Sequence, residues 1–296
     1  MQPVELVILG LCGQSVFLTV PHLHVPEETL HATEMFAEPG GKGYNQATAA
    51  ARLGGCVGFA GAVGEDEYGA LCQKRLLLEG VAKVRLFPKQ GEHTAYASIL
   101  TDQMGENRVT VYPGASKRLT AEDVEELGEW FAQAKLVLLT PEIPQVAFER
   151  AMTLALHAGV RVVINPAPYK PWVNEYLKDA WCITPNRHEA EAMLGLLPEE
   201  DVMAAALASD YGRMVITLGA QGAWWMQGGM GRLVPAPQVT AVDTTGAGDA
   251  LNAALCVGLL QGKSLEDATR YAVLAAALSV TRAHVLDALP YADQIH

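Results

Sequence analysis

The chain has 296 residues, half of them hydrophobic and 18% charged, with a formal net charge of −12. Enough apolar material for a large core excludes a disordered chain, and the acidic balance leaves no basic surface for nucleic acid or an anionic membrane. Five scattered cysteines without a CxxC pair argue against a disulfide framework or zinc knuckle and for free thiols in a reducing cytoplasm. The first residues show neither a basic n-region nor a long apolar h-region, and no uninterrupted apolar run reaches membrane-spanning length. A soluble, cytoplasmic protein is expected.

In chain order, "VELVILGLC" (4–12) reads as a buried strand ending at Gly10. The next stretch, 14–39, alternates loosely and holds three prolines and three histidines, the composition of edge strands or a flap. "KGYNQATAAARLGG" (42–55) is an alanine-rich helix stopped by Gly54-Gly55. "VGFAGAVG" (57–64) is a strand, and "YGALCQKRLLLEG" (68–80) a helix closed by Gly80. "TAYASIL" (94–100) and "NRVTVYP" (107–113) pair as a hairpin across "TDQMGE". Beyond it the rhythm is regular: a helix at about 121–133, strand 135–140, a helix at about 145–158, strand 160–166, strand 180–186, helix 187–195, and strands 212–219 and 222–227. Strands alternating with helices of this length predict a doubly wound, mostly parallel sheet with helices on both faces. With no linker or repeat in the chain, residues 1–296 read as one α/β domain. The irregular segments at about 14–39 and 93–113 form a small β lid over its sheet.

Chemistry concentrates in "DTTGAGDALNAAL" (243–255). Ligands of open α/β sheets bind beyond the carboxyl ends of strands, where loops enter helices. The glycines let backbone N–H groups turn inward together, and the positive end of the following helix adds to an anion site. A lone Asp249 there reads equally as a helix cap. The Gly246-Ala247-Gly248 turn and a second acid, Asp243, favour an acid that takes a hydroxyl proton beside an anion hole. "GLLQGKS" (258–264) is a decoy for a P-loop: three residues separate its glycines where four are required. No GxGxxG fingerprint supports dinucleotide chemistry.

"DTTGAGDALNAAL" resembles the C-terminal signature of the ribokinase-like (PfkB) carbohydrate kinases, and "GGKGYNQATAAARLG" (40–54) is similar to their N-terminal signature. "PEIP" (141–144), "NPAP" (165–168), "TPNRHEAE" (184–191) and "TLGAQG" (217–222) extend the resemblance over nearly the whole chain. It implies a ribokinase-like α/β fold with a β lid, ATP and Mg2+ as cofactors, and γ-phosphoryl transfer to a sugar hydroxymethyl group. Asp249 then matches the general base, and Gly246, Ala247 and Gly248 the anion hole. Gly41, Lys42 and Asn45 fall on the sugar-binding turn, and Glu142 on a sugar-side acid. Asn186 and Glu189 match residues that organise Mg2+ and its waters, with Asn186 also beside the nucleotide. Thr217, Gly219 and Gly222 match the nucleotide loop. The resemblance further implies a homodimer joined through the lids.

Two positions depart from the family pattern. An Asp that clamps ring hydroxyls just after the first strand is replaced by Ser15, and the Asn two positions earlier by Gly13. Both are substrate-side positions, and the change predicts weaker binding of a vicinal diol. Asp243 and Thr245 match part of a monovalent-cation site. Ala283, His284 and Val285 stand where the family's Gly-Ala…Ser loop would complete it, so the sequence argues against activation by potassium. The expected acceptor is a pentose or similar furanose. A nucleoside is the alternative within the family, and a non-catalytic ligand sensor is the alternative outside catalysis.

Overall fold

In the computed structural model, which describes residues 3–197 and 200–295, strand β1 (Leu6–Leu9) is buried along its whole length. Alternation of side chains sends Leu6 and Ile8 into one hydrophobic core and Val7 and Leu9 into another. A strand apolar on both faces belongs mid-sheet with helices on either side. The first half of the chain continues with β2 (Gly13–Thr19), β3 (Glu34–Gly40), α1 (Lys42–Arg52), β4 (Val57–Val63), α2 (Glu67–Leu78), β5 (Lys83–Pro88), β6 (Ala95–Thr101) and β7 (Asn107–Tyr112). Then come α3 (Ala121–Glu125), α4 (Gly128–Gln133), β8 (Leu136–Leu139), α5 (Gln145–His157), β9 (Arg161–Ile164), β10 (Cys182–Ile183), α6 (Arg187–Leu194) and α7 (Val202–Ala208). The last elements are β11 (Arg213–Thr217), β12 (Ala223–Gln227), β13 (Met230–Val234), α8 (Ala247–Leu260) and α9 (Leu265–Ser279).

Among the described residues, nine strands form one sheet in the order β13-β12-β11-β10-β9-β8-β1-β4-β5. It is parallel from β5 to β11, and β12 and β13 extend it antiparallel. Strand order reverses at β1, which pairs with β4 on one side and β8 on the other. Such a switch point opens a crevice at the strands' carboxyl ends. Backbone contact draws α1 into that crevice: a Cβ on Gly10 would lie 2.5 Å from the Cα of Gly43, closer than any side chain allows. No helix among the described residues is long and apolar enough to cross a membrane.

The other four strands form the lid, ordered β3-β2-β6-β7. Register places Phe17 opposite Phe36 and Ile99, and Ser15 opposite Glu38 and Ala97, on one face. Tyr96 and Tyr112 pair with each other on the opposite face, so they do not line the same surface as Phe17. Tyr44, between Lys42 and Asn45, is fully buried in the core against Phe59.

Local differences from the sequence reading have simple causes. The helix expected at 121–133 is broken into α3 and α4 at Leu127-Gly128. Strand β5 and helix α7 escape the pattern: β5 is a short edge strand whose alternation runs for only four residues, Lys83 to Leu86, and α7 is barely two turns long. Strand β13 follows a Gly228-Gly229 turn with both φ values positive, a hairpin signal present in the sequence but not used.

Candidate active site

The carboxyl ends of β8 through β11 set a row of side chains along the crevice. Glu142 follows β8, Asn165 follows β9, Thr184 and Asn186 follow β10, and Thr217 ends β11. Facing them, α8 begins at the glycine turn. Gly246 is in the left-handed region at φ 79, and a Cβ there would lie 2.6 Å from the Val285 side chain. A Cβ on Gly248 would meet nothing within 4 Å, so this glycine faces the open cleft. The N–H of Ala247 donates to the Thr244 carbonyl at 3.3 Å. The N–H groups of Gly246, Gly248 and Asp249 have no partner among the described residues.

Asp249 makes no capping bond to α8, although it sits in the helix's first turn. It is buried, and its two oxygens accept hydrogen bonds from Asn45 Nδ2 at 2.8 Å and Gln46 Nε2 at 3.2 Å. Burial pushes its pKa up, while Lys42 and the two amide bonds pull the other way. No ion pair of Asp249 closer than 4.0 Å occurs among the described residues. The ammonium of Lys42 lines the same cleft, its pKa raised by Asp249 and then by Glu142 and Glu189.

Gly41, at φ 115, puts its Cα against Leu11 and delivers the N-terminus of α1 to the switch point. No side chain of α1 caps that end. Glu142 does so from across the sheet, accepting the Lys42 N–H at 3.0 Å. Burial pushes Glu142 up to about 7, with Lys42 opposing and Asp249 adding to the rise. Asn45 Oδ1 is buried without a partner. Gly13 and Ser15 lie on β2 at the lid's base, and a Cβ on Gly40 would touch the Ser15 hydroxyl at 2.6 Å.

Asn186 and Glu189 form a capping box on α6: Asn186 Oδ1 accepts the Glu189 N–H, and Glu189 Oε2 accepts the Asn186 N–H, both at 2.8 Å. Both also line the cleft that holds Asp249, with Asn186 Nδ2 and Glu189 Oε1 unused by the box. Beside them, Thr217 bridges to Asn186, and the 219–221 turn ends at Gly222, where a Cβ would collide with the Val234 carbonyl at 2.1 Å. Gly219 has open space where a Cβ would stand. Asp243 accepts one backbone bond on each oxygen: Oδ1 from the Thr245 N–H at 2.9 Å and Oδ2 from the His284 N–H at 3.2 Å. His284 is a packing residue, its ring stacked on Phe36 at 3.7 Å.

Sequence reasoning passed over the residues behind the acid. Gln46 donates to Asn165 Oδ1 at 3.1 Å as well as to Asp249. Asn165 then bonds the Thr184 carbonyl, the Thr184 hydroxyl bonds Asn252, and Asn252 returns to the Gly248 carbonyl at 2.8 Å. This closed chain of amides and hydroxyls fixes the acid relative to the glycine turn. Each member lies inside a stretch singled out for another residue: "GYNQ", "NPAP", "TPN" and "DALN".

A buried acid, a lysine and free amide N–H groups converge under a β lid at the switch point of a doubly wound sheet. Together they define the class, a phosphotransferase of the ribokinase-like fold. The sequence pattern of the pfkB family carbohydrate kinases matches residues 5–291. The ribokinase of Haemophilus influenzae is 34% identical over 290 residues, covering 96% of this chain and 95% of its own. The structure of ribokinase from Giardia lamblia superposes with a TM-score of 0.91 at 25% identity, over 99% of this chain and 97% of that one. That of Arabidopsis thaliana ribokinase complexed with ribose and ATP does so at 0.87 and 27% identity, over 99% and 97%. This chain belongs to the pfkB family of carbohydrate kinases and is an ATP-dependent sugar kinase.

Proposed function

We propose that the chain transfers the γ-phosphoryl group of ATP to the hydroxymethyl group of a pentose or similar furanose, with Asp249 as general base. The observation that supports this most directly is the meeting, in one cleft, of a buried carboxylate of raised pKa with the free N–H groups of Gly246, Gly248 and Asp249. As the acceptor oxygen bonds to the γ-phosphorus, its proton passes to Asp249 and the bond to ADP breaks. The amides of the 246–249 turn stabilise the charge spreading over the phosphoryl oxygens, and Lys42 adds a positive charge beside them. Gly41, Asn45 and Glu142 orient the sugar, Asn45 through its unpartnered Oδ1. Thr217, Gly219, Gly222 and Asn186 line the nucleotide side.

Among the described residues no three His, Cys, Asp or Glu side chains gather as metal ligands. That suits a Mg2+ ion carried on nucleotide phosphates and water rather than caged by protein. Asn186 and Glu189 would hold it through water, by the groups their capping box leaves free, and its charge would offset that of the phosphates. We further propose a single catalytic domain, 1–296, that works in the cytoplasm as a homodimer. Its lid, about 14–39 and 93–113, would carry the dimer contact. The exposed lid strand β7, with Val109 55% and Val111 52% accessible, supports that contact.

The acceptor lacks, or does not use, a clamped vicinal diol. Glu38, the cross-strand partner of Ser15, brings a carboxylate to that face, but both its oxygens accept backbone N–H bonds. A charged hydrogen bond is worth about 1.5–3 kcal/mol, so binding of ribose is expected to be weaker by roughly ten- to a hundredfold than in a clamped site. Ala283, His284 and Val285 replace the loop that would complete a cation site beside Asp243 and Thr245, so strong potassium activation is not expected. An ATP-depletion screen of pentoses, deoxypentoses and nucleosides, in sodium and in potassium buffers, tests the reading. A pentose other than ribose turning over best in both buffers is expected. Plain ribose as the best acceptor overturns the diol argument, a nucleoside overturns the sugar assignment, and no turnover with any acceptor overturns catalysis.

A further inference from the structure

The tripeptide His284–Val285–Leu286 touches both the lid and the anion-binding turn. On the lid side, Glu38 of β3 is buried to 6% exposure with no cationic partner closer than 4.0 Å among the described residues. Its two carboxylate oxygens accept the N–H groups of Val285 at 2.8 Å and Leu286 at 3.1 Å. One turn of sheet away, the His284 ring stacks on Phe36 at 3.7 Å and meets Phe17 edge-on at 5.7 Å. On the catalytic side, the His284 N–H donates to Asp243, which also holds the Thr245 N–H, and the Val285 side chain rests on the Cα of Gly246.

Two features make this link costly to form. His284 sits at φ 65, a left-handed conformation uncommon for a residue with a side chain, though one that histidine enters more readily than most. A carboxylate buried without a cation carries a desolvation cost that its two backbone hydrogen bonds offset only in part. Stability alone is served more cheaply by an apolar residue facing a loop whose N–H groups point elsewhere.

We propose that Glu38 and His284 are positioning residues that tie the lid to the anion-binding turn, so that a lid in place over the sugar holds the N–H groups of 246–249 in register for phosphoryl transfer. The path runs from β2 and β3 through Glu38 and the stacked His284 to Val285 and Asp243, and from these to Gly246. It rests on the reading of the 246–249 turn as the anion hole. Neither residue touches a reacting atom, and each acts through the turn.

The test measures kcat and KM for both substrates, together with thermal melting, in Glu38→Gln, His284→Ala, His284→Phe and the double variant Glu38→Gln/His284→Ala. Gln keeps one acceptor where two N–H groups need one each, and Ala removes the ring that anchors the tripeptide to Phe36. Each single variant is expected to lower kcat by about ten- to a hundredfold, the scale on which small misplacements act, with KM for ATP within about threefold. The double variant is expected to be no worse than the poorer single, because both lie on one path, and His284→Phe to restore most of the loss through stacking. Unchanged kcat in folded His284→Ala overturns the proposal, as do multiplicative losses in the double variant or an effect confined to KM for the sugar. If Glu38→Gln does not fold, the half-buried His284 pair decides the question. Gly248→Ala in the same assay reports on the underlying anion-hole reading separately, because its Cβ enters the open cleft: wild-type activity there would sink that reading, whatever the lid variants do.

Discussion

Replacing Asp249 with Asn separates catalysis from stability at one position. The carboxylate lies in a buried site where its pKa is raised, which means the folded protein is less stable with Asp249 charged than its two amide bonds alone would suggest. Asn removes that charge. Its own NH2 would face one of the donors Asn45 Nδ2 or Gln46 Nε2, but Asn45 Oδ1 and Gln46 Oε1 are both buried without partners, so a flipped amide can accept it. Stability at pH 8 is therefore expected to hold or rise. The proton acceptor is lost, and kcat is expected to fall by about 10²–10⁴, equivalent to about 3–5 kcal/mol in the barrier, with little change in KM for ATP. Steady-state kinetics and differential scanning calorimetry on the same preparations measure both. A kcat within a few-fold of wild type removes Asp249 from the base role. A melting temperature several degrees lower makes the residue structural.

Two neighbouring glycines separate in the opposite sense. Gly248→Ala should fold as well as wild type or better, by up to about 1 kcal/mol, because its Cβ enters open space in a helix, yet lose activity by blocking the phosphoryl site. Gly246→Ala should lose about 1–3 kcal/mol, since φ 79 and Val285 at 2.6 Å both oppose a Cβ; urea denaturation distinguishes the two, and equal stabilities would refute this geometry. For Glu142 the folded pKa of about 7 lies above the ordinary 4.5, so the folded state binds more protons in between and stability falls as pH rises from about 4.5 to 7. Glu142→Gln removes that component, at most about 3 kcal/mol. Denaturation at pH 5 and pH 8 should therefore show a smaller loss in the variant than in wild type, and parallel losses would contradict the assignment.

Much of the site was readable because each piece is local chemistry. The glycines of "GAGD" favour a turn before a helix, and an N-x-x-E spacing suits one helix end, where Asn186 and Glu189 meet. The fold adds a cap there: both side chains are half used in the capping box. What escaped was non-local. Nothing in "NPAP" says that Asn165 will stand behind Gln46, 119 positions earlier, or that Glu38 will bind N–H groups 247 and 248 positions later.

By itself, the sequence determined the class of fold and the residue types at the cleft, because hydrophobic period and glycine placement act over a few residues at a time. Tertiary structure alone decided which carboxylates are buried, which polar atoms stay unpaired, and that the altered loop at 283–285 packs against the lid. Those outcomes depend on how strands far apart in the chain are ordered in the sheets, and with that order on the desolvation and hydrogen-bond partners of every group at the site.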